Sequence, residues 1–385
     1  MAEKRIPLFD AQLPSASIQG VQKVLKSGWL NTGPKAAEFE KAIATMVKER
    51  YAVAVNSATS GLQATLEALG AGPGREVITT SFTFAATAAA IIRTGAMPVL
   101  ADIDPVTLNI DPDEVIRKVT PQTLAILAVD IAGHPAQYPS LLAISARRRL
   151  PLVADAAHSL GATFAGKSTA QLTDAAVYSF QATKNLTTAD GGMIVTRHKL
   201  IAERARLLTQ HAMTSNAYQR RKANRWEYDV LGPGLKANLT DVHAAIGLGQ
   251  LAAFESNQRR RQKVADGYAR NLADLSDYLA IPEVRPGCRH AWHLFIIRLH
   301  LSRLRIGRAR LVALMSQAGI ECGVHYKPLF EMSFYRELGF EPAHFPNAVY
   351  AGRRVVSLPM YPHLKAVQID RVCDVLRDVV LRFRR

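Results

Sequence analysis

The chain is poor in cysteine. Only Cys288, Cys322 and Cys373 occur in 385 residues, widely spaced and odd in number, which argues against a disulfide framework and against a clustered metal site. Long apolar runs are missing as well. The longest candidate, "FAATAAAIIRTGAMPVLA", is broken by Arg93 and Pro98, short of the roughly 18 apolar residues of a membrane-spanning helix, so no membrane insertion is expected. The opening "MAEKRIPLFD" has no apolar core of signal-peptide type, and the cytoplasm is the expected compartment. No G-x-S-x-G elbow occurs, which weakens any Ser-His-Asp hydrolase reading. Acidic residues are in deficit, 32 against 48 basic, for a net charge of +16. The basic residues fall in short clusters (Arg147–Arg149, Arg220–Lys222, Arg259–Arg261, Arg353 and Arg354) without interleaved aromatics. A solvated surface is expected from them, with no nucleic-acid partner, and an anionic small substrate would be drawn to the same field.

What is present reads as a globular protein, 48% hydrophobic and 21% charged, long enough for two domains. Between residues 50 and 200 short apolar strands ("YAVAVNS", "EVITTS", "MPVLADID", "LAILAVD", "PLVADAAHS") alternate with helical stretches such as "SGLQATLEALG" and "DPDEVIRKV". That rhythm predicts an α/β fold with a mostly parallel sheet between helices. After residue 172 it changes: "DAAVYSF" and "GGMIVTR" are strand-like, and Lys184 falls on the loop between them. From about 240, "TDVHAAIGLGQLAAFESNQRRRQKVADGYARNL" reads as one long helical spine, followed by the strand "HLFIIRL" and the helices "GRARLVALMSQAG" and "DRVCDVLRDVVLRF". The expected division is a large domain over 1–245 and a smaller α+β domain over 246–385. The N-terminal segment is able to pack on the smaller one.

Five stretches carry candidate chemistry. "GATFAGKS", Gly161–Ser168, fits G-x-x-x-x-G-K-[ST] letter for letter, the basis of an alternative P-loop ATPase reading. A P-loop needs a helix to begin at its Lys-Ser, because that helix N-terminus and the loop amides hold the phosphates. The continuation "TAQLTDAAVYSF" is short and strand-like, so a hairpin is expected there. "NSATSGLQATLEAL" leads from a strand into a helix; its amides near Ala58 and Thr59 suit a phosphate dianion, although capping by Ser57, Thr59 or Ser60 explains the same residues. Asp155, in "VADAAHS", ends a strand with His158 close behind, where open α/β sheets bind ligands; a turn aspartate is the plainer account. Phe84, in "SFTFAATAAAI", suits either core packing or a planar ring. Lys184, in "SFQATKNLTTADGG", stands among Thr183, Asn185, Thr187 and Thr188, poor helix formers that do not make a solvated helix face. Together a phosphate cradle, a strand-end acid, an aromatic face and an isolated loop lysine match the needs of pyridoxal 5′-phosphate. A lysine bonds its aldehyde, and an acid keeps its ring nitrogen protonated so that the ring acts as electron sink. That lysine must be neutral to attack.

The order of these motifs resembles the DegT/DnrJ/EryC1/StrS family of nucleotide-sugar aminotransferases. The likeness runs through "SGWLNTGPKAAEFE", "NSATSGL", "SFTFAATAAAI", "DAAHSLGA", "SFQATKNLTTADGGMIV", "LKANLTDVHAAIGLGQL", "HAWHLFIIRL" and "VSLPMYPHL", nearly the whole chain. "HAWHLFIIR" and "PGLKANLTD" are most similar to the branch that makes UDP-4-amino-4-deoxy-L-arabinose for lipid A modification in lipopolysaccharide biosynthesis. The resemblance implies fold type I of the pyridoxal-phosphate enzymes and transfer of an amino group from L-glutamate to a nucleotide-linked 4-keto sugar, with a UDP-4-keto-pentose expected. A 3-keto or a dTDP- or GDP-linked sugar is the alternative, as is a dehydratase, but the histidine or cluster-binding cysteines of the latter are not present.

By the same resemblance Lys184 bonds the cofactor, Asp155 pairs with its ring nitrogen, His158 lies near its 3′-oxygen and Phe84 stacks on its ring. The amides of Ala58 and Thr59 and the hydroxyl of Ser179 hold its phosphate. Asn238 reaches that phosphate from the partner subunit, which implies a homodimer with shared active sites. Trp29, Thr32, Lys35 and His325 fall in segments that line the sugar-nucleotide site. Gln181, Leu235, Ala237 and Phe330 depart from the family pattern near the sugar pocket, and so leave the lysine and its acid untouched.

Overall fold

The computed structural model describes residues 5–385; the compartment expectation drawn from the opening stretch rests partly on residues 1–4, outside that range. Among the described residues thirteen strands follow in chain order. They are β1 Tyr51–Val55, β2 Glu76–Thr80, β3 Met97–Ala101, β4 Thr123–Val129, β5 Leu152–Asp155, β6 Thr163–Phe164, β7 Lys167–Ser168, β8 Ala175–Ser179, β9 Gly192–Thr196, β10 Leu279–Ala280, β11 Cys288–Arg289, β12 Phe295–Leu299 and β13 Val355–Leu358. Seven of them form one sheet in the order β1-β9-β8-β5-β4-β2-β3. Pairing is parallel from β8 to β3, while β9 runs antiparallel to both β8 and β1.

The sheet is buried on both faces, as its short apolar strands require. Alternation along β8 and β9 shows how. Tyr178, Met193 and Val195 pack with Phe39, Ile43 and Phe180 on one side. Val177 and Ile194 pack with Val53 and Leu62 on the other. Each such side chain stabilises the fold by about 1.5–3 kcal/mol.

The smaller sheet, β10-β12-β13, is antiparallel. Its core joins Tyr268, Phe295, Leu299, Val356 and Leu376, the first and last of these carried by the helices Leu251–Asn271 and Ala366–Arg382. The N-terminal segment meets this part of the fold: Ile6 bridges Ile320, and the Met360 amide donates to the Leu8 carbonyl at 3.2 Å.

Two local expectations meet different outcomes. "GATFAGKS" forms a hairpin, β6 paired antiparallel with β7. Ser168 then caps only the four-residue helix Thr169–Leu172, so the strand–loop–helix of a P-loop is not built and the ATPase reading has no support. The long spine beginning at Thr240, by contrast, is two helices, Asp241–Leu248 and Leu251–Asn271. The break falls where Gly249 lies flat on the Ser17 backbone; a Cβ there would stand 2.3 Å from the Ser17 nitrogen. Among the described residues no helix is long and apolar enough to cross a membrane.

Candidate active site

The carboxyl ends of β1, β8, β5, β4 and β2 share one edge of the large sheet. Val55, Gly192 and Ser179 are in register across three strands, and Val129, Asp155 and Val177 across the next three. Above this edge lies a cavity of about 490 Å³. Its lining brings together Ala58, Thr59, Phe84, Asp155, His158, Ser179, Lys184 and His325, from stretches far apart in sequence.

The loop from β8 to β9 explains its own composition. Its hydroxyl and amide side chains bind backbone in place of a regular ladder. Thr187 donates to the Phe180 carbonyl at 3.0 Å and accepts from the Ala189 amide at 2.9 Å. The Asn185 amide group donates to the Ala291 carbonyl at 2.7 Å. The loop is thereby fixed, and Lys184 points from it into the cavity. The residue keeps partial exposure, but its amine end is desolvated. Burial pushes the amine down to about 8, against a smaller opposing pull from Asp155.

Asp155 is a buried carboxylate whose hydrogen-bond partners are neutral. It accepts from the Thr87 hydroxyl at 2.7 Å and from the Ala157 amide at 3.2 Å. Burial pushes its carboxyl upward, more than these bonds and Lys184 lower it. Such a group calls for a cationic partner.

His158 has a fixed tautomer. Its Nδ1 accepts from the Ala132 amide at 3.2 Å, which leaves the proton on Nε2, and that nitrogen donates to the Tyr326 hydroxyl at 3.1 Å. Burial holds this imidazole neutral, well below the usual histidine range, with Lys184 and His325 adding to the effect. His325 follows the same pattern, pushed down to about 4 by burial first and Lys184 second.

The helix Ala58–Ala68 starts beside Ser179, capped by Ser57, whose side chain accepts from the Ser60 amide. Of the three capping residues the sequence offered, Ser57 is the one that caps. It leaves the Ala58 and Thr59 amides facing the cavity, at the positive end of the helix. Gly192 makes room for them: a Cβ there would press within 2.7 Å of the Ala58 nitrogen. Phe84 stands at the cavity lip, 60% exposed, its ring 6.0 Å from that of Tyr326.

Trp29, Thr32, Lys35 and Asn238 do not line this cavity within one chain. They make a second cluster. Asn238 donates to the Thr32 hydroxyl, which itself donates to the Leu239 carbonyl at 2.6 Å, and Trp29 Nε1 donates to the Thr32 carbonyl at 3.2 Å. The Asp241 carboxylate gathers the amides of Gly33, Lys35 and Ala36 at 2.8, 3.1 and 2.9 Å. Of the residues that depart from the family pattern, Gln181 lines the Lys184 cavity, whereas Phe330 is buried and stacked on Phe345.

Sequence reasoning missed Thr87, His293 and Tyr326. The last two sit inside "HAWHLF" and "VHYKPLF", where the signal was a polar side chain inside an apolar run. His293 Nε2 is 3.4 Å from Lys184 Nζ.

A family model described as the DegT/DnrJ/EryC1/StrS aminotransferase family matches residues 12–377. The chain belongs to that family. It is 39% identical over 386 residues to the spore coat polysaccharide biosynthesis protein SpsC of Bacillus subtilis, covering 99% of each. Among solved structures it is similar to the putative sugar aminotransferase Spr1654 of Streptococcus pneumoniae, with TM-score 0.92 and 30% identity over 98% of this chain and 99% of that one. That protein is known in PLP and PMP forms. DesI, solved in the presence of its TDP-sugar product, matches with TM-score 0.89 and 30% identity over 99% and 94% of the two chains. The chain is thus a pyridoxal-phosphate-dependent sugar aminotransferase of fold type I.

The residues present fit that cofactor. A buried carboxylate without a cationic hydrogen-bond partner suits a protonated ring nitrogen. A cradle that one Cβ at Gly192 would fill, under free amides at a helix start, suits a phosphate. A desolvated amine stands between the two. Among the described residues no group of three His, Cys, Asp or Glu side chains is placed to hold a metal ion.

Proposed function

We propose that this enzyme moves the amino group of L-glutamate onto the ketone of a nucleotide-linked 4-keto sugar, a UDP-4-keto-pentose by the motif likeness, for a cell-envelope glycan such as modified lipid A. The observation that carries the reading is the desolvated amine of Lys184 facing buried Asp155. Pyridoxal phosphate, when bound, supplies the electron sink that stabilises a carbanion at the carbon losing its proton.

The chain's own residues do the rest. With the cofactor bound, the neutral amine of Lys184 would hold its aldehyde. Free of that bond, the same amine would take the proton from the donor α-carbon and later return one to the sugar carbon. Asp155, with Thr87 holding it, would accept the hydrogen bond of the ring N–H and keep that proton in place. The amides of Ala58 and Thr59 and the hydroxyl of Ser179 would hold the phosphate. Phe84 would cover a ring face, and His158 would serve the 3′-oxygen.

Asn238, with Trp29, Thr32 and Lys35, serves the active site of a second copy in a homodimer, and His325 meets the sugar nucleotide. Two observations support the pairing. The second cluster lies off the Lys184 cavity of its own chain. Nearby in sequence, Trp226, Tyr228, Val230 and Leu231 are 81%, 53%, 54% and 61% exposed, a concentration of apolar surface that points to a partner. The net charge of +16 favours an anionic sugar nucleotide.

Borohydride reduction of the loaded enzyme followed by peptide mapping is expected to mark Lys184; a mark on another lysine would overturn the reading. Incubation with glutamate and a panel of UDP-, dTDP- and GDP-linked 3- and 4-keto sugars, read as aminated product, identifies the acceptor. The DesI likeness makes the dTDP sugars the arm most able to displace the UDP-pentose proposal.

A further inference from the structure

Lys184 is ringed by imidazoles, and one of them has no role in the account above. His293 is 3% exposed. It stacks on Phe9 with centroids 5.9 Å apart and packs 4.4 Å from the His158 ring. Its Nε2 faces the Lys184 amine at 3.4 Å, while its Nδ1 has no hydrogen-bond partner among the described residues.

Those two nitrogens fix the tautomer. A buried N–H without an acceptor is rarer and costlier than a bare acceptor without a donor. A proton on Nδ1 would be such an orphan. A proton on Nε2 finds the lone pair of an unprotonated amine. Burial, first among the causes, keeps the ring neutral, and the neighbouring Lys184, His158, Arg261 and His325 act in the same direction, so both nitrogens cannot carry protons at once.

The backbone sets the aim. The turn Ile131–Gly133 holds the His158 imidazole and the His293 backbone through Ala132. Its amide donates to His158 Nδ1 at 3.2 Å, and its carbonyl accepts from the His293 amide at 3.0 Å and from the Leu294 amide at 3.2 Å. Gly133, at φ +96°, lets the two segments close on this turn: a Cβ would stand 2.8 Å from the His158 carbonyl oxygen and 3.3 Å from the His293 nitrogen.

We infer that His293 is a positioning residue that donates its Nε2–H to the lone pair of the Lys184 amine, holding that amine unprotonated and aimed into the cavity whenever it is not bonded to cofactor. The other groups near the amine are Asp155, which favours its charged form, the imidazoles of His158 and His325, which Lys184 helps to hold neutral, and the cavity-lining Tyr326 and Asp190. His293 is the one among them whose ring nitrogen lies within hydrogen-bond distance.

The inference rests on Lys184 being the cofactor lysine, and the borohydride map tests that point separately. Here the readout is the pH dependence of Lys184 acetylation by acetic anhydride in the full-length chain stripped of cofactor, followed by mass spectrometry. The wild-type amine is expected to titrate near 8. In His293→Leu the site stays desolvated but loses the donor, so the apparent pKa is expected to rise by about one unit, with roughly tenfold slower labelling at neutral pH. His293→Gln, which keeps an N–H, is expected to stay near wild type. A purely packing role predicts an unchanged or lower value in His293→Leu, and that result would overturn the proposal. If His293→Leu does not fold, the ¹⁵N shifts of histidine in the wild-type cofactor-free chain decide: a proton on His293 Nε2 supports the inference, and one on Nδ1 sinks it.

Discussion

Lys167 and Lys184 sit in stretches of similar make-up, each between glycine, alanine, serine and threonine. Lys167 even carries the better-known sequence pattern. It is exposed on a hairpin whose next residue, Ser168, donates to the Val47 carbonyl at 2.7 Å and caps a four-residue helix. Lys184 hangs from the loop after β8, at the edge where five strands end, with Asp155, His158 and His293 around its amine. The difference teaches that the surroundings make a reactive lysine. Hydroxyl and amide residues near Lys184 bind the loop to the Phe180 and Ala291 carbonyls and aim the amine into a cavity, whereas Ser168 beside Lys167 ties down a hairpin that leaves its lysine in solvent.

The contrast can be broken by substitution. Lys184→Arg keeps a long basic side chain and removes the nucleophile, so turnover is expected to fall by more than about 10³-fold; a residual rate within tenfold of wild type would break the comparison at its stronger end. Asp155→Asn removes the buried negative charge and is expected to cost on the order of 10² in turnover, the scale of losing one preorganised electrostatic partner, with weaker cofactor retention measured by dialysis. Thr87→Val deletes the hydroxyl that donates to Asp155. A hydrogen bond to a charged group contributes about 1.5–3 kcal/mol, so a loss of roughly tenfold or more in turnover or cofactor affinity is expected.

A smaller effect concerns pH. His325 has its folded-state value pushed down to about 4, below the roughly 6.5 of an unfolded chain. The unfolded state therefore binds the proton first, and this contribution to stability is present above about 6.5 and lost as pH falls toward 4. The melting temperature of His325→Gln is expected to drop less between these pH values than that of wild type. Lys167→Arg closes the series, with turnover and melting temperature within error of wild type. A hundredfold loss there would break the comparison at its weaker end.

Much of the site was readable because its parts are local. A strand ending in an acid, a strand running into a hydroxyl-rich helix start, and a lysine among poor helix formers each declare themselves within a dozen residues. What could not be read depends on contacts across the chain. The break at Gly249 exists because the Ser17 backbone lies against it. Thr87 matters only because its helix brings the hydroxyl to Asp155. His293 and Tyr326 were not singled out, since nothing in "HAWHLF" or "VHYKPLF" says that a lysine more than a hundred residues earlier stands beside them.

The Asp241 carboxylate sets a schedule for making the protein. It closes on the amides of Gly33, Lys35 and Ala36, in its longest span 208 residues away, and the helix it begins is the one on which Ser15–Ser27 and Pro34–Val47 pack. β1, just after them, waits for β9 to reach it at the sheet edge. At about 5–20 residues per second of synthesis, the first two helices remain undocked for roughly 10–40 s. Their apolar faces, Phe39 and Ile43 among them, are the surface that the nascent chain must keep from other partners over that time.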